Sequence, residues 1–457
     1  MSQNLQKTLR DSKAARWSAL AIISITMFAG YFLTDVMSPL KPLLEAQLHW
    51  TSTDYGIFTS AYGWLNVFFL MLIFGGIILD KMGVRFTGLM SATIMVIGAS
   101  IKYYAVAVDF PEDALIFGMK SQVVFASIGF AIFGVGVEVA GITVSKIIVK
   151  WFKGYEMALA MGMQMAVARL GTLLAMAAPV PLATYFGVVS APLAFCLVLL
   201  VIGLLTFFIY VAMDKKLDAS ISANGEAAHE DPFSFSDIGF IVKNKGFWLI
   251  ALLCVLFYSS VFPFLKYAAD LMVNKYGLKQ EVAGLIPSLL PLGTLFLTPV
   301  FGSIYDKKGK GATIMIIGAA ILIFVHSFFS LPILNHWLMA VLLVILLGVG
   351  LSLVPSAMWP SVPKIIPEKQ LGTAYSLIFW IQNWGLMGVP LLIGTVLDKY
   401  CINGQVTIDG NVKPTYDYTI PMLIFTTFGF LAVVIGLMLK AEDKKKNYGL
   451  ELPNIKK

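Results

Sequence analysis

Residues 129–150 read GFAIFGVGVEVAGITVSKIIVK, and Glu138 is the one carboxylate in a run that is otherwise apolar or small. About 20 predominantly apolar residues form a helix long enough to cross a bilayer. A carboxylate near the middle of such a helix is costly, so it indicates a functional site. Gly134, Gly136 and Gly141 would let neighbouring helices or a substrate come close to it. The stretch predicts a membrane-spanning helix with a buried functional charge.

The composition is that of a protein that lies largely within a membrane. Of 457 residues, 58% are hydrophobic and 13% are charged, and the mean hydropathy is +0.82. Soluble domains carry about 25% charged residues, so a soluble fold of this composition would have too little polar surface to cover itself. The apolar residues occur in long runs, which predict spanning helices and not the short alternating segments of a barrel.

Charge and cysteine usage argue against several classes of function. The net charge is +7, but the basic excess is concentrated near helix ends and does not indicate a nucleic-acid partner. Cys196, Cys254 and Cys401 are widely spaced, form no metal motif and suggest no required disulfide. We find no nucleophile–base constellation, metal motif or phosphate loop in the sequence. We therefore expect no enzyme activity, no metal and no cofactor.

Charge and turn signals divide the chain into twelve predicted spans of suitable length. They lie at 17–38, 55–79, 84–108, 120–149, 157–182, 187–213, 245–272, 281–304, 311–332, 335–363, 369–397 and 418–440. We therefore predict an all-α membrane protein with twelve transmembrane helices.

The polar stretch 214–244 separates these spans into two sets of six. Its charge and its content of Gly, Ser and Ala are typical of a linker. We expect an N-terminal six-helix bundle at 1–213 and a C-terminal six-helix bundle with a basic tail at 245–457. Two six-helix halves with a site between them are the architecture of secondary transporters.

The basic residues orient the chain in the membrane. Most of the 33 Lys and Arg residues fall on the side that carries both termini. The positive-inside rule therefore predicts that both termini and the linker are cytoplasmic. Arg169 and Lys266 fall within predicted spans, where a charge needs a partner or an aqueous cavity.

A turn motif recurs at the same place in each half. GGIILDKMGVR at 75–85 follows span two, and GSIYDKKGKG at 302–311 follows span eight. We expect the glycines to allow close helix approach and a tight turn. Each Asp can cap the next helix, or pair with Arg85 or with a neighbouring basic helix end. The repeat predicts a cytoplasmic conformational motif made of Gly76, Asp80, Lys81, Gly83, Arg85, Gly302, Asp306 and Lys307.

Further motifs resemble a known family. WFKG at 151–154, GMQMAVARLG at 162–171, VFPFLK at 261–266 and MWP at 358–360, followed by PEKQLGTAYSLIFWIQNWG, resemble the lysosomal dipeptide uniporter branch of the major facilitator superfamily and its bacterial relatives. The resemblance covers nearly the whole chain. It implies a major facilitator fold, with two six-helix pseudo-repeats around a substrate site.

The resemblance also implies site residues and a partner. It implies that a Glu on span four and an Arg on span five contact the ends of a peptide, and Glu138 and Arg169 match these positions. The animal proteins work with a heavily glycosylated accessory subunit. This chain has no Asn-x-Ser/Thr sequon and has short outer loops, so we do not expect that subunit. We expect a monomer in a bacterial inner membrane.

Glu138 and Arg169 are expected at one depth. They lie at similar distances along the chain from the turn at 150–155, roughly 18–20 Å away at 1.5 Å rise per residue, near the bilayer centre. One interpretation is a permanent structural ion pair, which would add little stability. The other is a substrate site, in which a dipeptide places its ammonium on Glu138 and its carboxylate on Arg169.

Other residues are candidates for the same cavity. The resemblance implies that helices one, four, five, seven, ten and eleven line it, which selects Tyr31, Gln164, Tyr258, Trp359, Gln382 and Asn383. Adjacent residues on a helix face about 100° apart, so only one of the last two need face the cavity.

Charged residues near the outer ends of spans have two interpretations. Asp35 on span one and Lys266 on span seven form either an outer gate between the halves or two unrelated interfacial charges. His326 and His336 are expected at the membrane interface.

We therefore predict a secondary transporter of small zwitterions, dipeptides above all, that works by alternating access as a uniporter. Proton coupling through a buried Glu138 is an alternative, because burial favours the protonated carboxyl group. A further alternative is an organic-anion or sugar-phosphate exchanger centred on Arg169, although spans ten and eleven supply no second midspan cation. A non-transporting membrane sensor is another, although the linker and tail are too short for an output domain. Expected partners are the lipid bilayer and a small-molecule substrate.

Overall fold

A computed structural model describes residues 8–111, 114–152, 155–222, 235–367, 370–408 and 411–453. The second half of the WFKG motif, part of the PEKQ segment and the centre of the predicted linker lie outside the described residues.

The N-terminal half contains nine α-helices and one short hairpin within these residues. The helices are α1 (Lys13–Asp35), α2 (Lys41–Gln47), α3 (Ser52–Ser60), α4 (Trp64–Phe68), α5 (Met71–Ala107), α6 (Ser121–Phe152), α7 (Met157–Ala177), α8 (Pro179–Phe186) and α9 (Ala191–Ser222). Strands β1 (Leu115–Ile116) and β2 (Met119–Lys120) are antiparallel. Helix α9 continues to Ser222, so the first part of the predicted linker is helical.

The C-terminal half follows the short helix α10 (Phe235–Ile241). Its helices are α11 (Lys245–Tyr276), α12 (Gln280–Ala283), α13 (Leu285–Lys308), α14 (Gly311–Ser330), α15 (Trp337–Ile365), α16 (Leu371–Tyr400) and α17 (Thr419–Lys446). Strands β3 (Ile402–Ile408) and β4 (Asn411–Tyr416) form an antiparallel hairpin between α16 and α17. The side chain of Asn244 accepts hydrogen bonds from the first amides of α11, which starts the first span of this half.

Eleven helices among the described residues are long and apolar enough to cross a membrane, and with α3 and α4 they make up the twelve spans. Helix α5 belongs to two of these spans, because its backbone is non-helical at Gly83, where φ is +76°. The predicted second span is not one helix. It consists of α3, a 3₁₀ turn at Ala61–Gly63, α4 and the start of α5, with Leu70 at a φ of +54° between the last two.

The two halves repeat one packing pattern. In the N-terminal half, α5 packs on α6 and α9, and α1 packs on α7. In the C-terminal half, α14 packs on α15 and α17, and α11 packs on α16. Each set pairs span three with four and six, and one with five, counted within its half. The internal repeat seen in two turn motifs therefore extends to the helix contacts of both bundles.

The bundle has two distinct ends, which we name by what they carry. The terminus side holds residue 8, the ends of α9 and α17 and the repeated turn motifs. The hairpin side holds α2, the hairpins β1–β2 and β3–β4, and the turn from α11 into α12.

Candidate functional site

A cavity of about 350 Å³ lies between the two halves, and all ten predicted site and gate residues line it. Small-molecule sites commonly occupy roughly 300–1,000 Å³, so the volume suits a small ligand. Both Gln382 and Asn383 line the cavity, although helix geometry required only one of them to face it. The predicted residues are Tyr31, Asp35, Glu138, Gln164, Arg169, Tyr258, Lys266, Trp359, Gln382 and Asn383.

Glu138 on α6 is held by a residue from the interrupted second span. The hydroxyl of Tyr62 donates a hydrogen bond to Glu138 Oε1 at 2.8 Å. Gly134, one helical turn before Glu138, makes this possible, because a Cβ there would lie 2.3 Å from the Tyr62 carbonyl oxygen. The glycine therefore lets the 3₁₀ turn approach α6 and places the Tyr62 hydroxyl on the carboxylate.

Arg169 on α7 lies in the same cavity but does not pair with Glu138. Its guanidinium carbon is 5.9 Å from the ring centre of Tyr31 and 6.0 Å from that of Phe262. These distances allow weak cation–π attraction. No ion pair joins Arg169 to Glu138, and both residues are described, so the interpretation as a permanent ion pair is wrong. The cavity therefore offers one anionic and one cationic group at separate points.

The C-terminal half contributes an aromatic wall. Tyr258 stacks on Phe262 with ring centres 5.3 Å apart, and Trp359 stacks on Phe379 at 4.9 Å. The two stacks are joined, because the Trp359 indole N–H donates a hydrogen bond to the Tyr258 hydroxyl at 3.2 Å. A wall of this kind presents flat apolar surface with few free donors.

Amide side chains complete this half of the cavity. The thiol of Cys254 donates to Gln382 Oε1 at 3.7 Å, and Asn383 Nδ2 donates to the carbonyl oxygen of Phe379 at 2.9 Å. Asn383 Oδ1 is buried without a hydrogen-bond partner. Gln164 contributes an amide from α7 on the opposite wall.

Asp35 and Lys266 close the cavity on the hairpin side. Lys266 Nζ lies 2.6 Å from Asp35 Oδ1 and donates a second hydrogen bond to the Thr34 carbonyl oxygen at 2.7 Å. The interpretation as two unrelated interfacial charges is therefore wrong, because they form an ion pair between the halves. Their role as a gate remains a prediction.

Further contacts fasten the halves together on the same side. Asp398 on α16 accepts hydrogen bonds from the backbone amides of Ser52 and Thr53 at 3.0 and 2.5 Å, and so caps α3 from the opposite half. The Tyr55 hydroxyl donates to the Lys266 carbonyl oxygen at 2.9 Å. Ion pairs that join the halves between two described residues lie on the hairpin side.

Ion pairs within the N-terminal half hold the first copy of the turn motif, on the terminus side. Asp80 pairs with Lys146 on α6 at 2.9 Å, so it meets a neighbouring basic helix end and not Arg85. Arg85 instead pairs with Asp218 on α9 at 3.0 Å. Gly83 makes the expected tight turn, with open space where a Cβ would be.

The expectation of close helix approach holds for Gly75, where a Cβ would lie 2.5 Å from Val139 Cγ2, but it is wrong for Gly76 and Gly302. A Cβ at Gly76 or Gly302 would meet no atom within 4 Å. Lys81 and Lys307 are exposed, and Asp306 is half-buried. In the second copy φ is positive at two residues, Gly309 (+69°) and Lys310 (+64°).

Two titratable residues of the spans are fully buried within the protein. His326 does not face the surface that a membrane interface would contact. It is fully buried, with its ring centre 5.2 Å from those of Phe264 and Phe425. Lys102 is a further basic residue within a span. It is fully buried on α5, donates to the Leu33 carbonyl oxygen at 3.2 Å and lies 4.3 Å from the Phe130 ring centre. His336 is exposed, as expected, and caps α15.

Residues that the sequence did not single out also shape the site. Tyr62 carries a hydroxyl within an apolar run, which is a usable signal, although its partner depends on the break in span two. Met27, Phe262 and Phe379 line the cavity but look like ordinary apolar span residues in the sequence.

Two six-crossing halves around a cavity lined by charged, polar and aromatic residues define the protein as a secondary transporter by its architecture. The sequence profile of the Major Facilitator Superfamily matches residues 21–390, and the chain belongs to that superfamily. The protein is therefore a membrane transporter and not an enzyme.

Among its relatives is the lysosomal dipeptide transporter MFSD1 of Homo sapiens, which is 26% identical over 393 residues. The match covers 84% of this chain and 81% of that protein. The inner membrane transport protein YdiN of Escherichia coli is 26% identical over 205 residues, which cover 43% of each chain.

Solved structures share the fold. The nucleoside transporter NupG superposes with a TM-score of 0.65 at 16% identity, over 93% of this chain and 98% of that one. An inward-facing and occupied bacterial homologue of the human lysosomal transporter Spinster superposes with a TM-score of 0.68 at 12% identity, over 95% and 98%. These similarities confirm the predicted twelve-helix major facilitator fold.

Proposed function

We propose that the protein moves small zwitterionic peptides, dipeptides above all, across the membrane by alternating access. One observation carries the proposal. Glu138 and Arg169 present opposite charges from two helices to one cavity and do not neutralise each other. A ligand with one positive and one negative end would satisfy both. The relative MFSD1 is a dipeptide transporter, which supports this choice of ligand.

The two charged groups would hold the two ends of the peptide. Glu138 accepts a hydrogen bond from Tyr62 and would accept others from the peptide ammonium. Arg169 would bind the peptide carboxylate through the two parallel donors of its planar guanidinium group. Because the two groups sit at fixed points on α6 and α7, their separation would select for the length of the ligand.

The C-terminal half would contact the side chains of the peptide, and ligand binding would link it to the N-terminal half. Both end-binding groups belong to the N-terminal half, whereas Tyr258, Phe262, Trp359 and Phe379 form the facing wall. Peptide side chains would lie against this wall, whose aromatic faces accept varied apolar groups. Because the site divides between the halves, a bound ligand can stabilise the closed arrangement of both.

We favour uniport, because a bound zwitterionic peptide would satisfy both Glu138 and Arg169, so that binding needs no additional ion. Proton symport through Glu138 remains the alternative. Accumulation of the substrate against its concentration gradient, driven by an imposed pH gradient, would establish it. An anion exchanger is disfavoured by one observation. Lys266 is a second cation in the cavity wall, but Asp35 already neutralises it.

From the positions of the basic residues we propose that the terminus side faces the cytoplasm, and we propose a bacterial inner membrane as the location. The hairpin side would then face outward, and the structure would be closed toward the outside. We propose a monomer without an accessory subunit.

Thermal unfolding of the purified protein tests the proposal. We expect dialanine to raise the unfolding temperature, because a ligand of the folded state at 100 times its Kd adds about 2.7 kcal/mol of stability. Alanine, trialanine and succinate should add less. The shift should disappear in Glu138→Gln and Arg169→Gln and persist in Glu281→Gln, an exposed carboxylate outside the cavity. A dialanine shift that both cavity variants retain would refute the site.

A further inference from the structure

Four charged side chains lie buried together on the hairpin side, apart from the cavity. Lys41 and Glu45 belong to α2 of the N-terminal half, whereas Asp270 on α11 and Lys413 on β4 belong to the C-terminal half. Each is at most 3% exposed. We call these four residues the charge quartet. None of them is among the described residues that line the cavity.

The contacts of the quartet alternate in sign around a closed circuit. Lys41 Nζ lies 2.5 Å from Glu45 Oε1 and 2.8 Å from Asp270 Oδ2. Lys413 Nζ lies 3.5 Å from Asp270 Oδ1 and 3.7 Å from Glu45 Oε2. Each lysine therefore has one carboxylate partner within its own half and one in the opposite half.

Neutral groups also donate hydrogen bonds to the two carboxylates, whereas Glu45 Oε2 and Lys413 Nζ have no hydrogen-bond partner among the described residues. Asp270 accepts hydrogen bonds from the Tyr418 hydroxyl at 2.5 Å and from Asn274 Nδ2 at 2.9 Å. Glu45 accepts one from the Ser52 hydroxyl at 3.0 Å. The ring centre of Tyr416 lies 4.6 Å from Lys41 Nζ. Polar or aromatic groups therefore surround Lys41, Glu45 and Asp270.

The β3–β4 hairpin brings the fourth charge to this site. The backbone amide of Tyr416, at the end of β4, donates to Asn274 Oδ1 at 3.0 Å. This contact fixes the hairpin to α11, and β4 also packs on α2 of the other half. The hairpin therefore covers the junction of the two halves, with Lys413 pointing into it.

Stability alone does not explain such a group. Burial removes water from each charge, and well-packed apolar residues commonly stabilise a protein as well as a buried ion pair does. The quartet also joins two bodies that must separate on this side during alternating access. A buried charge network at that junction therefore has to come apart in each cycle.

We propose that the charge quartet is a second gate, which opens by dividing into two neutral pairs. When the halves separate, Lys41 keeps Glu45 and Asp270 keeps Lys413, so neither half carries an unpaired charge. The contacts that break are Lys41–Asp270 and Lys413–Glu45. The Asp35–Lys266 pair lacks this property, because its separation leaves one charge on each half. The proposal rests on the chain being a transporter and not on the identity of its substrate.

Two matched double variants test the division into neutral pairs. Each removes one lysine and one carboxylate from the quartet. Lys413→Met with Asp270→Asn leaves Lys41–Glu45, which lies within one half. Lys413→Met with Glu45→Gln leaves Lys41–Asp270, which must be split on opening. The two variants have the same composition of charge and differ in where the remaining pair lies.

Opening is measured by the rate at which a membrane-impermeant maleimide, added from the hairpin side, labels a cysteine placed at Thr34 in the cavity wall. Cys196, Cys254 and Cys401 are buried, which limits background labelling. We expect the variant that retains Lys41–Glu45 to be labelled roughly tenfold faster than the variant that retains Lys41–Asp270. A tenfold ratio lies within the range of interaction energies measured between contacting residues. Equal rates in two folded variants, or the reverse order, would overturn the proposal.

Charge exchange provides a second test if a double variant does not fold. Lys41→Glu with Glu45→Lys inverts the N-terminal pair, and Asp270→Lys with Lys413→Asp inverts the C-terminal pair. Each exchange alone places like charges across the junction, so we expect labelling about tenfold above the parent chain. Both exchanges together restore opposite charges, and labelling should return to within about threefold. A combined variant that labels as fast as the single exchanges would contradict the gate.

Discussion

The Tyr62 hydroxyl donates a hydrogen bond to Glu138 at 2.8 Å, and this contact exists because the second span is interrupted. An unbroken helix would carry Tyr62 along a different path, whereas the 3₁₀ turn lets its backbone settle against Gly134. The hydrogen bond orients the one carboxylate in the cavity that has no cationic partner. It therefore links an irregularity of the backbone to the proposed binding of an ammonium group.

Tyr62→Phe should weaken substrate binding without unfolding the protein. The change removes one hydrogen bond to a charged group, which is commonly worth about 1.5–3 kcal/mol, so the Kd for dialanine should rise at least about tenfold. Titration calorimetry of the purified protein measures this change. Tyr104→Phe, which alters an exposed tyrosine of α5, is the matched control and should leave the Kd unchanged. Equal Kd values for both variants would show that Tyr62 does not position the site.

Glu138 and Arg169 should recognise different ends of the peptide. The parent chain should bind dialanine at least about tenfold more tightly than N-acetyl-dialanine or dialanine amide, since each blocked form loses a charged hydrogen bond. Glu138→Gln should abolish discrimination against the acetylated form alone. Arg169→Gln should abolish discrimination against the amide alone. Competition binding with the three ligands measures both effects, and a variant that loses both kinds of discrimination would argue against separate subsites.

Trp359→Ala should change the preference for peptide side chains more than the recognition of peptide ends. The indole forms part of the aromatic wall and is joined to Tyr258 at 3.2 Å. Its loss should weaken binding of alanyl-phenylalanine relative to dialanine by roughly fivefold or more, because stacking surface is removed. Trp384→Ala, which truncates an exposed tryptophan outside the cavity, serves as the control. An unchanged ratio of the two Kd values would remove Trp359 from the proposed side-chain wall.

Asp35 and Lys266 should behave as a coupled pair in transport. Asp35→Lys or Lys266→Asp alone places like charges 2.6 Å apart in the present geometry, so each should slow uptake into proteoliposomes at least about tenfold. The combined exchange restores opposite charges and should recover part of the rate. The amount of reconstituted protein in each sample is the control. No recovery relative to the single variants would count against a gate at this position.

Gly98→Ala and Gly76→Ala should have opposite effects on stability. A Cβ at Gly98 would lie 2.4 Å from the backbone nitrogen of Phe133, so α5 and α6 would have to separate. We expect the unfolding temperature to fall by several degrees, since overpacking costs about 1–3 kcal/mol. Gly76 has open space at the same atom, and alanine there should stabilise the helix by up to about 1 kcal/mol. Similar changes of the unfolding temperature in both variants would show that the close contact between α5 and α6 at Gly98 does not determine the effect of the added methyl group.

Much of the site was predictable because membrane burial makes charge conspicuous. Glu138 and Arg169 interrupt apolar runs, and counting from the turn between their helices places them at one depth. Their lack of mutual contact was not predictable. It depends on differences of a few ångströms between side chains on two helices, which residue spacing does not determine.

The residues that were missed are those whose surroundings, and not their type, make them unusual. Lys41 and Glu45 follow the first span, where a sequence normally places exposed loop charges, and Lys413 lies in a polar hairpin segment. Only the packing of β4 on α2 turns them into buried groups. Lys102 was assigned to no partner because its acceptor is a backbone carbonyl group, which has no signature in the sequence.

The amino-acid sequence by itself determined the number of crossings, the twofold repeat and the buried charges of the cavity. These follow from hydropathy, which acts locally and is recorded residue by residue along the chain. The tertiary structure decided which charges meet. The pairs Asp35–Lys266 and Lys41–Asp270 join residues more than 200 positions apart. Their contact depends on how the two bundles pack against each other, and no local pattern records that arrangement.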